Sequence, residues 1–300
     1  MQLPNPVTYA IPAFVLLVLA EMLAAWARDR KRYCPKDTLT SLALGTGSSV
    51  AGLLVGGMAI AISYWVARFG IFEIGYQWYW FVVCFVLDDL SYYAFHRSAH
   101  RVRWFWASHV IHHSSQHYNL STALRQTWTG FFSLNLIFRV PLLLIGFPPW
   151  AILLAQSWNL LYQFLLHTEA VRTLPRPIEL VMNTPSHHRV HHATNPQYLD
   201  KNYAGVFIVW DKMFGTFTPE RADDRPRYGI VKDLGSFNLL WAAFHEWVGI
   251  ARDVWAAPTL AAKWNYMVKP PGWSHDGSRE TSESIKRHWA ARHGAARDPG

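Results

Sequence analysis

"YQWYWFVVCFVLDDLSYYAFHRSAH", Tyr76 to His100, joins two chemistries in one helical reading. Its first half is an aromatic and aliphatic run suited to lipid, since Trp and Tyr favour the membrane interface. With no turn signal between, the run meets Asp88 and Asp89 and continues to His96 and His100. Residues three and four apart share a helical face, so Asp89, Tyr93, His96 and His100 point the same way. The stretch predicts a membrane helix that runs directly into a polar, histidine-bearing end. A carboxylate one or two turns from a metal-binding imidazole can accept its other ring N–H, so Asp89 is the expected partner of these histidines and Asp88 the alternative.

Downstream, "HVIHH" (His109 to His113) and "SHHRVHH" (Ser186 to His192) repeat the pattern. His109, His112 and His113 stand at i, i+3 and i+4, as do His188, His191 and His192, so each triplet is expected to form a one-sided cluster. A lone histidine is usually a satisfied or solvent-facing side chain. Eight at helical spacing reverse that expectation, because neutral imidazoles are good ligands for iron, copper, nickel or zinc while charged ones repel. One tetrahedral zinc takes four ligands, and the "HExxH" pattern of zinc proteases is missing, so two metal ions are expected. His167, ending "YQFLLHTE", is expected to be a ninth ligand. His187 lies off the face of its triplet and His117 follows His113 at i+4; both are lesser candidates. Cys34 and Cys84 are too few for a thiolate site or a disulfide framework.

Hydrophobic residues make up 51% of the chain and charged residues 16%, which is low in charge for a soluble domain. The net charge of +8 is concentrated at the ends of apolar runs and in the C-terminal tail, a pattern for orientation in an anionic membrane rather than for binding nucleic acid. The runs are "AIPAFVLLVLAEMLAAWA" from Ala10, Ser41 to Val66, the run from Tyr76, Trp128 to Phe147, and Trp150 to Leu166. The first is read as an anchor that stays, with Glu21 near its interface. "GLLVG" at Gly52 to Gly56 is expected to mediate close helix packing. Arg28, Arg30, Lys31, Arg32 and Lys36 follow the first run, which places them, and by span counting every histidine block, in the cytoplasm. Phe237, Leu240, Trp241, Phe244, Trp247 and Val248 form an apolar stripe on a helix that either packs on the cap or lies on the membrane. The expected architecture is all-α, an integral membrane bundle of four to five membrane helices under a cytoplasmic histidine-rich helical cap. Its segments are 1–75 (membrane helices), 76–220 (catalytic) and 221–300 (amphipathic helix and basic tail).

"DDLSYYAFHRSAH", "HVIHHSSQHYNLSTALRQ", "LLYQFLLHTE" and "NTPSHHRVHHATNPQYLDKNYAGVFIVWDKMFGTF" together resemble the fatty acid hydroxylase and sterol desaturase superfamily of membrane di-iron enzymes, and within it the alkylglycerol monooxygenase branch. The resemblance covers Phe81 to Phe217. It implies a non-haem site of two iron ions and oxygen insertion into a lipid C–H bond. Its ligands fall on His96, His100, His109, His112, His113, His188, His191 and His192, with His167 a further metal-proximal histidine. Gln163 stands where more distant fatty acid hydroxylases carry another histidine. Gln163, Asn119 and His187 are expected to stand behind the ligands. Animal members of the branch use tetrahydrobiopterin and have an acidic residue where this chain has Arg101, so the resemblance implies the two irons and leaves tetrahydrobiopterin open. Cleavage of an ether lipid, hydroxylation of a fatty acyl, ornithine-type or sterol lipid, and desaturation all remain open. A membrane zinc hydrolase is the rival from another class. With no haem or flavin motif, electrons are expected from a separate donor; the other partners are a lipid substrate and the membrane.

Overall fold

The structure, a computed structural model, describes residues 6–28 and 32–294. Its helices are α1 (Pro6–Arg28), α2 (Pro35–Ala67), α3 (Trp78–Arg101), α4 (Arg103–His113), α5 (Val140–Ile145), α6 (Pro149–Leu166), α7 (Arg176–Val181), α8 (Pro185–His191), α9 (Val209–Met213), α10 (Leu239–Ala256), α11 (Leu260–Val268) and α12 (Ser282–Gly294). Among the described residues there are isolated β-bridges but no strand. The expected continuity of α3 holds: one unbroken helix carries the apolar run, both aspartates and both histidines.

Two helices, α1 and α2, are long and apolar enough to cross a bilayer. Most of their apolar side chains face outward, with Leu53 85% and Leu54 80% exposed. A continuous greasy surface of this extent is unfavourable in water and natural in lipid. The basic cluster after α1 is only partly placed, since Arg30 and Lys31 lie outside the described residues.

What positions the site is the direction of the long helices. The rings of Tyr76 and Trp150 stack 5.7 Å apart where α3 and α6 begin. Further along, Asn159 donates to Asp89 at 2.8 Å and Tyr92 to Gln163 at 2.7 Å. The two helices therefore run parallel and deliver His96, His100 and His167 to one end. Phe14 stacks on Phe164 at 3.9 Å, and Glu21, further along α1, meets Thr168 just past the end of α6, which lays α1 along α6 in the same sense. Helix α2 runs back the other way: near its start Asp37 binds Arg125, and just beyond its end Ile71 donates to the carbonyl of Leu144. Cys84, Leu142, Leu143, Phe147, Ala151, Ile152 and Ala155 fill the space between α3, α5 and α6.

Three expectations are corrected here. The run Trp128 to Phe147 is not one helix but two 3-10 segments, Gly130–Ser133 and Asn135–Arg139, followed by the six-residue α5. It bends because it wraps α3: Arg139 reaches Asp88 at 3.0 Å and Ser91 donates to the carbonyl of Phe138 at 2.6 Å. Among the described residues a Cβ at Gly52 or Gly56 would meet nothing within 4 Å, whereas one at Gly45 would strike the Leu124 carbonyl and one at Gly47 the indole of Trp128. Finally, the segment after 221 holds three helices rather than one and a tail. Helix α10 is anchored by Ala242, Ala243 and Ile250, which are buried, while Leu240, Trp241, Phe244 and Val248 of the expected stripe face outward.

Candidate metal centre

The nine histidines converge, and they do so as two groups. His96, His100, His109, His113 and His191 offer ring nitrogens within 4.8 Å of one another; so do His112, His167, His188 and His192. The groups touch where His113 and His192 stack, with ring centroids 4.3 Å apart. Each triplet is thus divided rather than one-sided. In α4, His109 and His113 serve the first group and His112 the second; around α8, His188 and His192 serve the second and His191 the first. The cause is helical geometry. At about 100° per residue, positions four apart differ in direction by about 40°, while the one between is turned well to the side.

The outer nitrogens of the rings are fixed by backbone carbonyls. His96 Nδ1 lies 2.7 Å from the Tyr203 carbonyl, His191 Nδ1 3.1 Å from that of Lys201, His112 Nδ1 3.3 Å from that of Arg125, and His167 Nδ1 2.8 Å from that of Gln163. A carbonyl only accepts, so each of these Nδ1 atoms carries the proton and each Nε2 presents a bare lone pair inward. Yet inward nitrogens crowd together: His167 Nε2 stands 3.1 Å from His112 Nε2 and 3.1 Å from His188 Nε2, and His109 Nε2 stands 2.9 Å from His96 Nε2 and 3.0 Å from His113 Nε2. Protonation does not relieve the crowding. Burial pushes His112 down to about 4, and burial first, then the neighbouring imidazoles, holds His109, His113, His167, His188, His191 and His192 well below the ordinary imidazole range. His100 Nε2, His191 Nε2 and His188 Nδ1 are buried with no hydrogen-bond partner. Converging, buried nitrogen donors that find no partner among the described residues fit metal ions.

The expected supporting residues take other places. Asp89 touches no imidazole; it accepts from the backbone N–H groups of Val206 and Phe207, from Trp210 and from Asn159, at 2.8–2.9 Å. It thereby holds the loop that presents the Tyr203 carbonyl to His96. A side chain at Gly205 would collide with Asn159, Asp89 and Tyr92, so glycine is required where this loop crosses α3 and α6. Asp88 is spent on Arg139. Asn119 shapes its own turn, accepting from Ser121 and donating to the Arg32 carbonyl. Gln163 donates to Asn159 while its backbone carbonyl orients His167. His187 turns away to pair with Glu179 at 2.9 Å, and His117 belongs to neither group.

One carboxylate, Asp200, went unread in the sequence, and a second, Glu21, takes a place other than the one expected. Asp200 sits 3.6 Å from His100 Nδ1 and 3.8 Å from Arg101, which also binds Glu283 at 2.7 Å. Burial opposes the charge on Asp200, but the adjoining His100 ring and the charge of Lys286 hold its carboxyl below the usual range. Glu21, assigned to the interface of an anchor, is a clasp: it accepts from Tyr33 at 2.6 Å, from the backbone of Leu120 at 2.8 Å, and from Thr168 beside His167. A lone carboxylate inside an apolar run was the available signal, since burying it demands partners.

Residues 81–216 match the model of the fatty acid hydroxylase family. The chain is 40% identical over 277 residues to the alkylglycerol monooxygenase of Danio rerio, covering 91% of this chain and 61% of that one. It is 38% identical over 276 residues to the alkylglycerol monooxygenase of Homo sapiens, with the same coverage of 91% and 61%. An ornithine lipid hydroxylase of Rhizobium tropici is 29% identical over 146 residues, 45% of this chain and 41% of that one. The chain therefore spans about three fifths of the length of the alkylglycerol monooxygenases it matches. No solved structure matches it.

Proposed function

We propose that the chain, whose residues 81–216 match the model of the fatty acid hydroxylase family, is a membrane-bound monooxygenase of that family that inserts oxygen into a C–H bond of a lipid. Among lipids we propose an ether lipid of the alkylglycerol type, from the 40% identity to an alkylglycerol monooxygenase across 91% of the chain. Hydroxylation at the carbon beside the ether oxygen would give a hemiacetal that separates into aldehyde and glycerol. The observation that carries the metal assignment is the pair of bare Nε2 atoms on His112 and His167, 3.1 Å apart and kept neutral by burial.

In this reading the five-histidine and four-histidine groups each hold one iron ion. Bound iron would supply the activation of dioxygen that an inert C–H bond requires. The protein's own part is orientation and exclusion. The carbonyls of Tyr203, Lys201, Arg125 and Gln163 set the tautomers, so the inward nitrogens are ready without a proton to lose. Burial of all but the edges of these rings keeps water from competing. We place the histidine end of the bundle on the cytoplasmic side, above four or five membrane helices, with electrons arriving from a separate donor.

Oxygen uptake by the iron-loaded protein with an alkylglycerol and a reductant tests the reading, with aldehyde as the expected product. Turnover without oxygen consumption would replace it with metal-water hydrolysis. Lipid profiles of a deletion strain against an overproducing strain would identify the substrate by its accumulation and loss.

A further inference from the structure

Beside the four-histidine group lies a second polar site that the metal reading does not use. A cleft of about 430 Å³ is lined by Arg32, Arg172, Arg189, Arg221 and Arg225. Glu169 and Glu220 also line it, so the cations outnumber the carboxylates. Their assignments differ. Arg189 is buried and committed to scaffold: it binds Glu220 at 2.7 Å and donates to the carbonyls of Thr168 and Val171 at 3.0 and 2.6 Å, and to that of Arg172. Arg221 pairs with Asp223 at 2.6 Å, and Arg32 stands 3.7 Å from Glu169. Arg172 and Arg225 are exposed and have no ion pair among the described residues.

Both are nonetheless held in place from behind. Arg189 grips the backbone of Arg172. Asn195 donates to the carbonyl of Arg225 at 3.0 Å and accepts from the backbone of Arg227 at 2.8 Å, while Tyr198 ties down Asp224 at 2.9 Å. Two guanidinium groups without an ion pair thus stand on braced walls of one cleft, and guanidinium forks are suited to the oxygens of a tetrahedral oxyanion. Arg32 follows shortly after α1, a helix apolar enough to cross the membrane, so the cleft opens near that helix's end.

We infer that this arginine-lined cleft binds a phosphate group, with Arg172 and Arg225 as its principal ligands. The phosphate would come from the headgroup of an anionic phospholipid at the membrane surface or from a soluble phosphorylated molecule. The inference is independent of the metal centre and of any activity.

The test uses the full chain in detergent, following thermal unfolding with millimolar inorganic phosphate, with micelles containing phosphatidic acid, and with micelles of phosphatidylcholine alone. Saturation of the site is expected to raise the Tm by roughly 2–4 °C. A rise with phosphatidic acid but not with inorganic phosphate identifies a lipid headgroup; a rise with inorganic phosphate identifies a soluble source. Arg172→Gln with Arg225→Gln should abolish the rise, whereas Arg287→Gln with Arg292→Gln, which removes the same charge from α12, should preserve it. Should the double variant fail to fold, Arg225→Gln alone is expected to reduce the rise by about half. No rise in the unaltered protein, or an equal rise in the Arg172/Arg225 variant, overturns the inference.

Discussion

His112 and His167, one from α4 and one from the end of α6, aim unprotonated nitrogens at each other across 3.1 Å. Two lone pairs at that distance repel unless a cation lies between them. The protein as purified is therefore expected to carry a metal ion in each histidine group. His167→Ala should lose the ion of the four-histidine group, and His96→Ala that of the five-histidine group, each leaving the other measurable by elemental analysis. Equal loss of all metal from both variants would contradict two separable sites.

Acid should weaken the metal-free protein in a defined window. His112 is pushed down to about 4 by burial, so the folded state refuses a proton that the unfolded chain accepts near the ordinary imidazole pKa of about 6.5. The stability this confers is full above that value and declines as pH falls from about 6.5 toward 4. Thermal melts of chelator-stripped protein should show the decline. His112→Leu should lessen it, and an unchanged profile would refute the assignment.

Asp89 gathers four donors from three segments. Asp89→Ala would leave those donors buried and unpaired, costing about 3 kcal/mol or more. The loop holding the Tyr203 carbonyl should loosen as well, so metal release from the five-histidine group should accelerate before that from the four-histidine group. Chelator-challenge kinetics on the two groups would reveal the difference; equal acceleration would assign Asp89 to general stability alone.

The exposed and packed faces of α10 make separate predictions. Trp241 is 42% exposed, whereas Trp247 donates to Thr129 at 3.0 Å and packs edge-on against Trp104. Leu240→Glu with Trp241→Glu should lower activity on a long-chain lipid more than on a short detergent-soluble analogue, with bound metal unchanged. Trp247→Glu should instead lower the Tm and reduce activity on both. Identical behaviour of the two variants would remove α10 from the lipid path.

Reporters fused after Arg101 and after Phe217 should read cytoplasmic, and one at Gly70 external. The helix directions make the check stringent, because Gly70 lies by the α5–α6 turn, at the end of the bundle away from the histidines. Opposite readings at Arg101 and Phe217 would be incompatible with the converged histidines.

All nine converging histidines could be read from spacing and from the flanking blocks, because helical periodicity is a local property of the chain. The division of each triplet between two groups could not, since it depends on where neighbouring helices supply the remaining rings. The same distinction explains Asp89 and Asp200. Asp89 shares a helical face with His96 in sequence, but its partners arrive from residues 159 and 206–210. Asp200 reaches His100 through a loop in which Asp200 and Asn202 both take positive φ, a turn no periodicity announces. The run from Trp128 is apolar enough to read as a span, and its bend follows from the long-range contacts of Arg139 with Asp88 and of Ser91 with the Phe138 carbonyl.

The shared histidines of α4 and α8 have a mechanical meaning. Each helix supplies two rings to one group and one to the other, in reciprocal fashion. Neither can rotate to suit one group without withdrawing a ring from its neighbour, so the pair is geared like meshed cogs. A shift that a ligand imposed on one group would therefore reach the other through α4 and α8, which carry rings of both.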